Sequence, residues 1–197
     1  MKPMSNKGAL IIFSAPSGCG KDTLLRELFK RDSAGDFVLS RSMTTRSPRS
    51  EEKDGVDYYF VNREHFEQLI AQDKLIEYAE YNGNYYGTPK EPVEEWLNEG
   101  KIVFLEIEVQ GASKVRQRCP DAVSIFVLPP SLDELERRLR NRQTDSDEVI
   151  AKRIALAPGE IERSKEFDYN IVNDELERAA DELYNIVISI KEKNQNG

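Results

Sequence analysis

An apolar run of strand character, Ala9-Leu-Ile-Ile-Phe-Ser14, stops at a turn of small residues, Ala15-Pro-Ser-Gly-Cys-Gly-Lys21, and gives way to helically spaced leucines, Leu24, Leu25 and Leu28. The run is short and β-branched, which suits a strand buried on both faces, and the leucine spacing predicts a helix over Thr23–Arg31. A strand with no polar face must be covered on both sides, and a tight loop from strand to helix turns successive backbone N–H groups toward one point at the helix's positive end. Gly18 and Gly20 let that backbone approach a ligand with no Cβ in the way, and Lys21 supplies the charge that bridges transferring phosphates. Ala15, Pro16, Ser17, Gly18, Cys19, Gly20, Lys21, Asp22 and Thr23 are therefore the candidate triphosphate-binding segment. The segment says which group is bound and leaves the reaction open.

The rest of the chain repeats the strand-then-helix rhythm. Ile102–Ile107 reads as a second buried strand with a helix from Ala112, and Val123–Leu128 as a third strand stopped by Pro129-Pro130. Ser131 is a helix N-cap, with Glu134 completing a capping box for a helix through Arg142. Tyr169–Val172 is a fourth strand and Leu176–Ile190 an amphipathic closing helix. Alternation of this kind predicts an α/β fold with a parallel sheet of the P-loop NTPase type and helices on both faces. Two stretches break the rhythm. Residues 40–98 are polar and rich in Tyr and Arg, with short alternating runs at Asp57–Val61 and Asn84–Tyr86, and read as an inserted α+β lobe. Residues 142–164 are highly charged and read as a helical lid. The expected layout is one domain over 1–197, with its core in 8–39, 100–141 and 165–193.

Composition narrows the function. At 197 residues and 39% hydrophobic content the chain can build one cored domain. No apolar run approaches the ~20 residues of a membrane span. Met1–Lys7 has no apolar stretch, so no secretory signal is expected. With only Cys19 and Cys119, a disulfide framework is excluded, and a reducing, cytoplasmic setting is the expectation. A net charge of −8 argues against nucleic-acid polymers as partners, which need a basic face, yet leaves room for a single nucleotide held by local cations. His65, the lone histidine, stands at a helix start in Asn62-Arg-Glu-His-Phe and reads as a surface residue. The two cysteines and one histidine do not make a zinc site.

The polar insert carries the most specific signal. Ser42-Met-Thr-Thr-Arg46-Ser-Pro-Arg49 is followed by Glu52, Gly55 and Asp57-Tyr58-Tyr-Phe60. Further along come Leu75-Ile-Glu77, Gly83-Asn-Tyr-Tyr-Gly-Thr88 and Leu105-Glu-Ile-Glu-Val-Gln-Gly111. From about Leu10 to the final helix, this series resembles the guanylate kinase family. The resemblance implies an Mg²⁺-dependent enzyme that moves the ATP γ-phosphoryl onto GMP, and onto dGMP, in purine nucleotide recycling, acting as a monomer or homodimer. It implies a GMP set of Ser42, Arg46, Arg49, Tyr58, Glu77, Tyr86, Gly87, Thr88 and Glu108. The chemistry agrees. Two guanidinium groups suit a phosphate dianion, tyrosine hydroxyls add donors, and the acceptor-only carboxylates of Glu77 and Glu108 match guanine's N1–H and N2–H₂ edge. Adenine would leave those carboxylates unpaired, and a site of this kind can discriminate by ~10⁴–10⁵.

By the same resemblance, Lys21, Arg46, Arg142 and Arg153 bracket the transferred phosphoryl, while Arg138 and Asn173 attend the adenosine side of ATP. Four departures bear on these expectations, the first two from the general phosphate-loop pattern and the last two from the family pattern. Ala15 opens the loop in place of Gly. Asp22 stands where a Ser or Thr hydroxyl normally reaches Mg²⁺, so Mg²⁺ is expected through Asp22 or Thr23, with Glu106 a further candidate through water. Glu106 and Glu108 replace Asp, and Glu106 could equally be a structural partner for Arg46. Pro158-Gly159 is expected to kink or end the lid helix. Cys19 is read as a tolerated small loop residue; the rival reading is a thiol whose pKa is lowered by Lys21 and a helix N-terminus, so that modification there would inactivate the enzyme. Two rival functions remain at this point: a non-catalytic, guanylate-kinase-like phosphopeptide-binding module, and a sugar-phosphate kinase of the same fold.

Overall fold

A computed structural model of the chain describes residues 8–141 and 146–196. In chain order the elements are β1 (Ala9–Ser14), α1 (Lys21–Lys30), β2 (Phe37–Leu39), β3 (Met43–Thr44), β4 (Tyr59–Phe60), α2 (Arg63–Ala71), β5 (Leu75–Tyr81), β6 (Asn84–Pro89), α3 (Lys90–Asn98), β7 (Ile102–Glu106), α4 (Val109–Arg118), β8 (Val123–Leu128), α5 (Leu132–Asn141), α6 (Asp147–Glu162), a 3-10 turn (Arg163–Glu166), β9 (Tyr169–Val172) and α7 (Leu176–Asn196).

Five strands form a wholly parallel sheet in the order β2-β7-β1-β8-β9. The predicted α/β fold with helices on both faces is borne out. Alternate residues of β1 feed two cores: Ala9, Ile11 and Phe13 join leucines of α1, α5 and α7, whereas Leu10 and Ile12 join Val93 and Leu97 of α3 and Val109, Ala112 and Val115 of α4. Phe13, Phe104 and Phe126 are fully enclosed. Burial of a side chain of this size stabilises the fold by roughly 1.5–3 kcal/mol. The central strand β1 has β7 on one side and β8 on the other, so the loop after it opens where strand order reverses, the place where open α/β sheets bind ligands.

Between β2 and β7 the chain makes a second sheet, ordered β4-β3-β6-β5, with Phe66 of α2 as its buried anchor. Sequence reading had caught only fragments of it. The run Asn84–Tyr86 is the first half of β6, whereas β5 and the hairpin joining the two lie outside the sequence expectation, although Asn82-Gly83 is a two-residue turn with φ of 48° and 73°, the left-handed pair a tight hairpin needs. The helix start at His65 was correctly read, since the Asn62 side chain accepts from the His65 N–H at 2.7 Å. The short edge strand β2 and helix α3 also went unread.

Several boundaries moved. α1 begins at Lys21 and α4 at Val109, each earlier than expected, because Gly20 and the extended Glu108 supply the entry turns. The Ser131 cap is present, its Oγ accepting from the Glu134 N–H at 3.1 Å. Only half of the capping box forms, however, since the Glu134 carboxylate turns to Arg137 and Arg138. Pro158-Gly159 does not end the lid helix: α6 continues through it to Glu162. The proline forgoes one backbone N–H, but Ile150 and Ala157 stay buried with Leu135 and Leu139 of α5, and that packing carries the helix across. Among the described residues no helix is long and apolar enough to cross a membrane.

Candidate functional site

The loop after β1 is shaped by two glycines. Gly18 and Gly20 have φ of 93° and 83°, in the left-handed region, and neither has room for a side chain. A Cβ on Gly18 would lie 2.7 Å from Leu139 of α5, and one on Gly20 would lie 2.6 Å from the Asn173 amide. Asn173 is 6% exposed, and its Nδ2 donates to the Cys19 carbonyl at 2.7 Å. Its side chain thus props the loop from the end of β9, a contribution that the assignment to the adenosine side did not include. Arg138 reaches the same place, donating to the Asn173 carbonyl at 2.9 Å while Glu134 holds its Nε at 2.7 Å. The two residues assigned to the adenosine side therefore meet.

Lys21, at the first position of α1, pairs with Glu106 at the end of β7, Nζ to Oε1 being 3.0 Å. Glu106 is not the partner of Arg46 that the sequence allowed; the register of β7 beside β1 sets it opposite Phe13 and next to the loop. Burial raises the Glu106 carboxyl above the usual range, Lys21 opposes that, and the Asp22 carboxyl within hydrogen-bonding reach raises it again. Two carboxyl groups thus crowd beside one ammonium. Thr23 lies half-buried next to them, its hydroxyl accepting from Arg26 at 3.5 Å. Among the described residues there is no group of three or more His, Cys, Asp or Glu that could hold a metal alone. The donor set suits a hard cation held mainly by phosphate and water, with carboxylate help.

Cys19 is 1% exposed, and burial pushes its thiol up to about 12, overriding the opposing pull of Arg138 and Lys21. The rival reading of a low-pKa thiol is overturned: the side chain packs into the α1–α5–α6 core instead of facing the loop's mouth.

In the second sheet a β-bulge does the positioning. Leu75 pairs with Pro89 but Glu77 pairs with Thr88, so β5 takes two steps where β6 takes one. Three consecutive residues, Leu75, Ile76 and Glu77, are buried as a result. Glu77, 7% exposed, accepts from the Thr88 hydroxyl at 2.9 Å. A hydrogen bond to a charged group of this kind contributes about 1.5–3 kcal/mol. Burial raises the Glu77 carboxyl; Thr88 and Lys114 oppose the shift, and Glu108 adds to it. Glu108 caps the start of α4 and is exposed. Gly87 is buried under Phe66, where a Cβ would meet the Glu77 carbonyl at 2.7 Å, so its part is to let β5 and β6 close. Ser42 is half-buried just ahead of β3, and its carbonyl accepts from the Tyr59 N–H at 2.9 Å.

Arg46 lies between aromatic rings and a carboxylate. Its two terminal nitrogens fork onto both oxygens of Glu52 at 2.9 Å, and its guanidinium stands 5.5 Å from the Tyr58 ring centroid and 5.8 Å from that of Phe60. Tyr86 packs edge-on against Tyr58 at 6.2 Å. Arg46 and the Arg49 backbone hold Glu52 at about 2, well below the usual carboxylate range. Arg49 is exposed, and its N–H donates to Glu52 at 2.8 Å. Burial raises the Tyr58 hydroxyl. Arg46, Arg49, Tyr58 and Tyr86 are thus brought together around Glu52, a residue present in the motif to which no role had been assigned.

Arg153 is half-buried on α6, and Arg142 lies outside the described residues. α6 sends one further group toward the loop. The Glu160 carboxyl is raised by burial, then by Glu108, with Lys21 opposing. Glu160 is thus a half-buried α6 carboxyl that feels the charges of Glu108 and Lys21, and nothing in the sequence marks it.

A guanylate kinase family model matches residues 7–190. The chain belongs to the guanylate kinase family. It is 56% identical to a guanylate kinase of Streptococcus pneumoniae over 180 residues, covering 91% of this chain and 86% of the relative. Against the guanylate kinase of Synechocystis sp. it is 51% identical over 183 residues, covering 93% and 95%. The crystal structure of guanylate kinase from Anaplasma phagocytophilum superposes with a TM-score of 0.75 at 36% identity, covering 96% of this chain and 89% of that one. Family membership thus spans both sheets, and the side chains added by the structure to this guanylate kinase framework are Glu52, Asn173 in its propping contact, and Glu160.

Proposed function

We propose that the chain transfers the γ-phosphoryl of ATP to GMP, and to dGMP, giving ADP and GDP. The observation that carries this reading is the buried Glu77 carboxylate, kept inside the second sheet with Thr88 on one oxygen. A carboxylate withdrawn from water needs donors to match it, and guanine's N1–H and N2–H₂ edge supplies them where adenine cannot. The relatives named guanylate kinase over nearly the whole chain support it.

In this reading residues 40–98 form the GMP-binding lobe, 142–164 the lid, and the remainder the ATP-binding core, in a cytoplasmic enzyme. The loop 15–23 cradles the ATP phosphates with backbone N–H groups, and Lys21 turns from Glu106 toward the β- and γ-phosphates. Arg138 lies along the adenosine, and Asn173 keeps the loop in shape beneath it. Arg46 and Arg49 take the GMP phosphate, with Tyr58 and Tyr86 donating hydroxyls, so that the phosphate replaces or joins Glu52 on the Arg46 fork. Glu77 and Glu108 accept from the base, and Ser42 and Thr88 attend its remaining polar edge. Lys21, Arg46, Arg142 and Arg153 surround the phosphoryl in transit, and lid closure excludes water. Mg²⁺, when bound, would supply positive charge that offsets the negative charge developing on the phosphates. Asp22, Glu106 and the Thr23 hydroxyl are the residues that would hold its water shell. The accepting atom is an oxygen of a phosphate already ionised at neutral pH, so no histidine base is required.

The test is coupled ADP release with GMP, dGMP, AMP and ribose bisphosphate as acceptors, with and without Mg²⁺. Mg²⁺-dependent turnover with GMP and dGMP alone is the expected result. Turnover with the sugar phosphate would favour the alternative kinase, and silence with every acceptor would favour a binding module.

A further inference from the structure

Gly111 stands in the first turn of α4, buried, in an ordinary helical conformation. Its φ does not require glycine, and inside a helix glycine is less favourable than alanine. The reason for it lies in what the missing side chain would meet. A Cβ there would come within 3.3 Å of Glu77 Oε2 and 3.7 Å of its Cδ, with Ile107 Cβ at 3.6 Å on the other side. The Glu77 carboxylate therefore sits between a strand of the second sheet and a helix of the core. Thr88 of β6 holds Oε1 at 2.9 Å, and the bare backbone of α4 closes over Oε2.

We propose that Gly111 is a specificity-determining position, whose lack of a side chain lets α4 lie on the Glu77 carboxylate and sets where that carboxylate meets the base. The inference rests on the reading of Glu77 as the guanine-reading group, and it adds the element that fixes the group's height in the pocket. A methyl at Gly111 forces a shift of a few tenths of an ångström in its neighbour. Ile107 belongs to the packed core and Thr88 to the sheet, so the carboxylate is the part that moves, and its hydrogen bonds to the base lengthen. The atoms nearest a Cβ at Gly111 belong to Glu77 and Ile107, and neither is a phosphate-binding residue, so the ATP side should not be involved. It is a positioning residue, acting through Glu77.

The experiment measures kcat and KM for GMP, AMP and ATP, with a thermal melt, in the full chain carrying Gly111→Ala, Glu77→Gln, Glu77→Asp, or Gly111→Ala with Glu77→Asp. Gly111→Ala is expected to raise the GMP KM and lower the GMP/AMP ratio of kcat/KM by roughly tenfold, a sub-ångström misplacement of a recognition group. The ATP KM should stay put, and the melting temperature should hold or rise. Glu77→Asp withdraws the carboxylate by one methylene and opens the space, so adding Gly111→Ala to it should cause no further loss of selectivity. An unchanged GMP/AMP ratio in Gly111→Ala, with a reduced one in Glu77→Gln, would overturn the inference and leave the base-reading assignment standing. If Glu77→Gln also left the ratio unchanged, the assignment itself would fall, and the inference with it. Should Gly111→Ala alone not fold, the double variant compared with Glu77→Asp decides: equal selectivity supports the inference, and a further drop overturns it.

Discussion

On the proposed function, the loop after β1 and the second sheet approach the same problem, holding an anion or a polar base without water, by opposite means. The loop is nearly all backbone: two left-handed glycines, propped by Asn173 and roofed by Leu135 and Leu139, present N–H groups whose direction the fold dictates. The second sheet works through side chains, with Glu77 turned inward by a bulge, Thr88 and α4 pressed against it, and Arg46 forked onto Glu52. In the loop most side chains are replaceable as long as the backbone path survives. In the sheet the backbone contributes one bulge, and on the proposed reading single atoms of named side chains carry the selectivity. The difference predicts that the two regions fail differently when changed.

The largest effect should come from the one side chain that the loop does need. Lys21→Ala is expected to lower kcat by roughly 10³-fold or more, the loss seen when a preorganised transition-state charge is removed, with base selectivity unaltered. Steady-state kinetics with GMP and AMP would check it, and a change in selectivity would blur the division between the regions. Next in size, Arg46→Ala should cut kcat/KM for GMP by roughly 10²–10³-fold while sparing the ATP KM. A matching rise in the ATP KM would show that the sheet also serves the triphosphate.

A pH titration sharpens the sheet's side of the comparison. Because the Glu77 carboxyl is raised, it takes up a proton at a higher pH than an ordinary carboxylate and then stops accepting from the base. The GMP KM should rise as pH falls through that raised pKa, ahead of any change in the ATP KM. Glu52 and Glu134 have the opposite sign. With pKa values of about 2 they contribute stability above the ordinary carboxylate range and lose it as pH falls toward 2, so the part of the melting temperature lost in Glu52→Gln or Glu134→Gln should disappear only across that window. Smallest of all is the expected effect of a thiol reagent. Cys19, raised to about 12 and enclosed, should react only at the rate of unfolding, and brisk labelling of the native protein with loss of activity would contradict its buried place.

The same division explains what could be read without a structure. Backbone-made features leave contiguous traces: the run Ala9–Ser14, the spacing of Gly18, Gly20 and Lys21, and the cap at Ser131 all pointed to their elements directly. The identity of the side-chain pocket came from motif order, but its geometry did not. Glu77 faces inward because β5 slips one residue against β6, and no alternation in Leu75-Ile-Glu announces a bulge. Lys21 with Glu106, and Asn173 with Cys19, are pairs made by strand register and by the end of β9, separated too widely along the chain for spacing to reveal them. The rival reading of Cys19 fails for a related reason. Lys21 is its cationic neighbour in sequence, but burial in the core shared with α5 and α6 decides its ionisation.

The central claim, that a side-chain pocket in the second sheet chooses the base while the loop handles the triphosphate, is tested most directly by Glu77→Gln. The amide removes one acceptor and presents a donor to guanine's own donors, a mismatch costing on the order of 10²-fold or more. The kcat/KM ratio for GMP over AMP should fall by that factor, with the ATP KM unchanged. An unaltered GMP/AMP ratio in a folded Glu77→Gln protein would contradict the account.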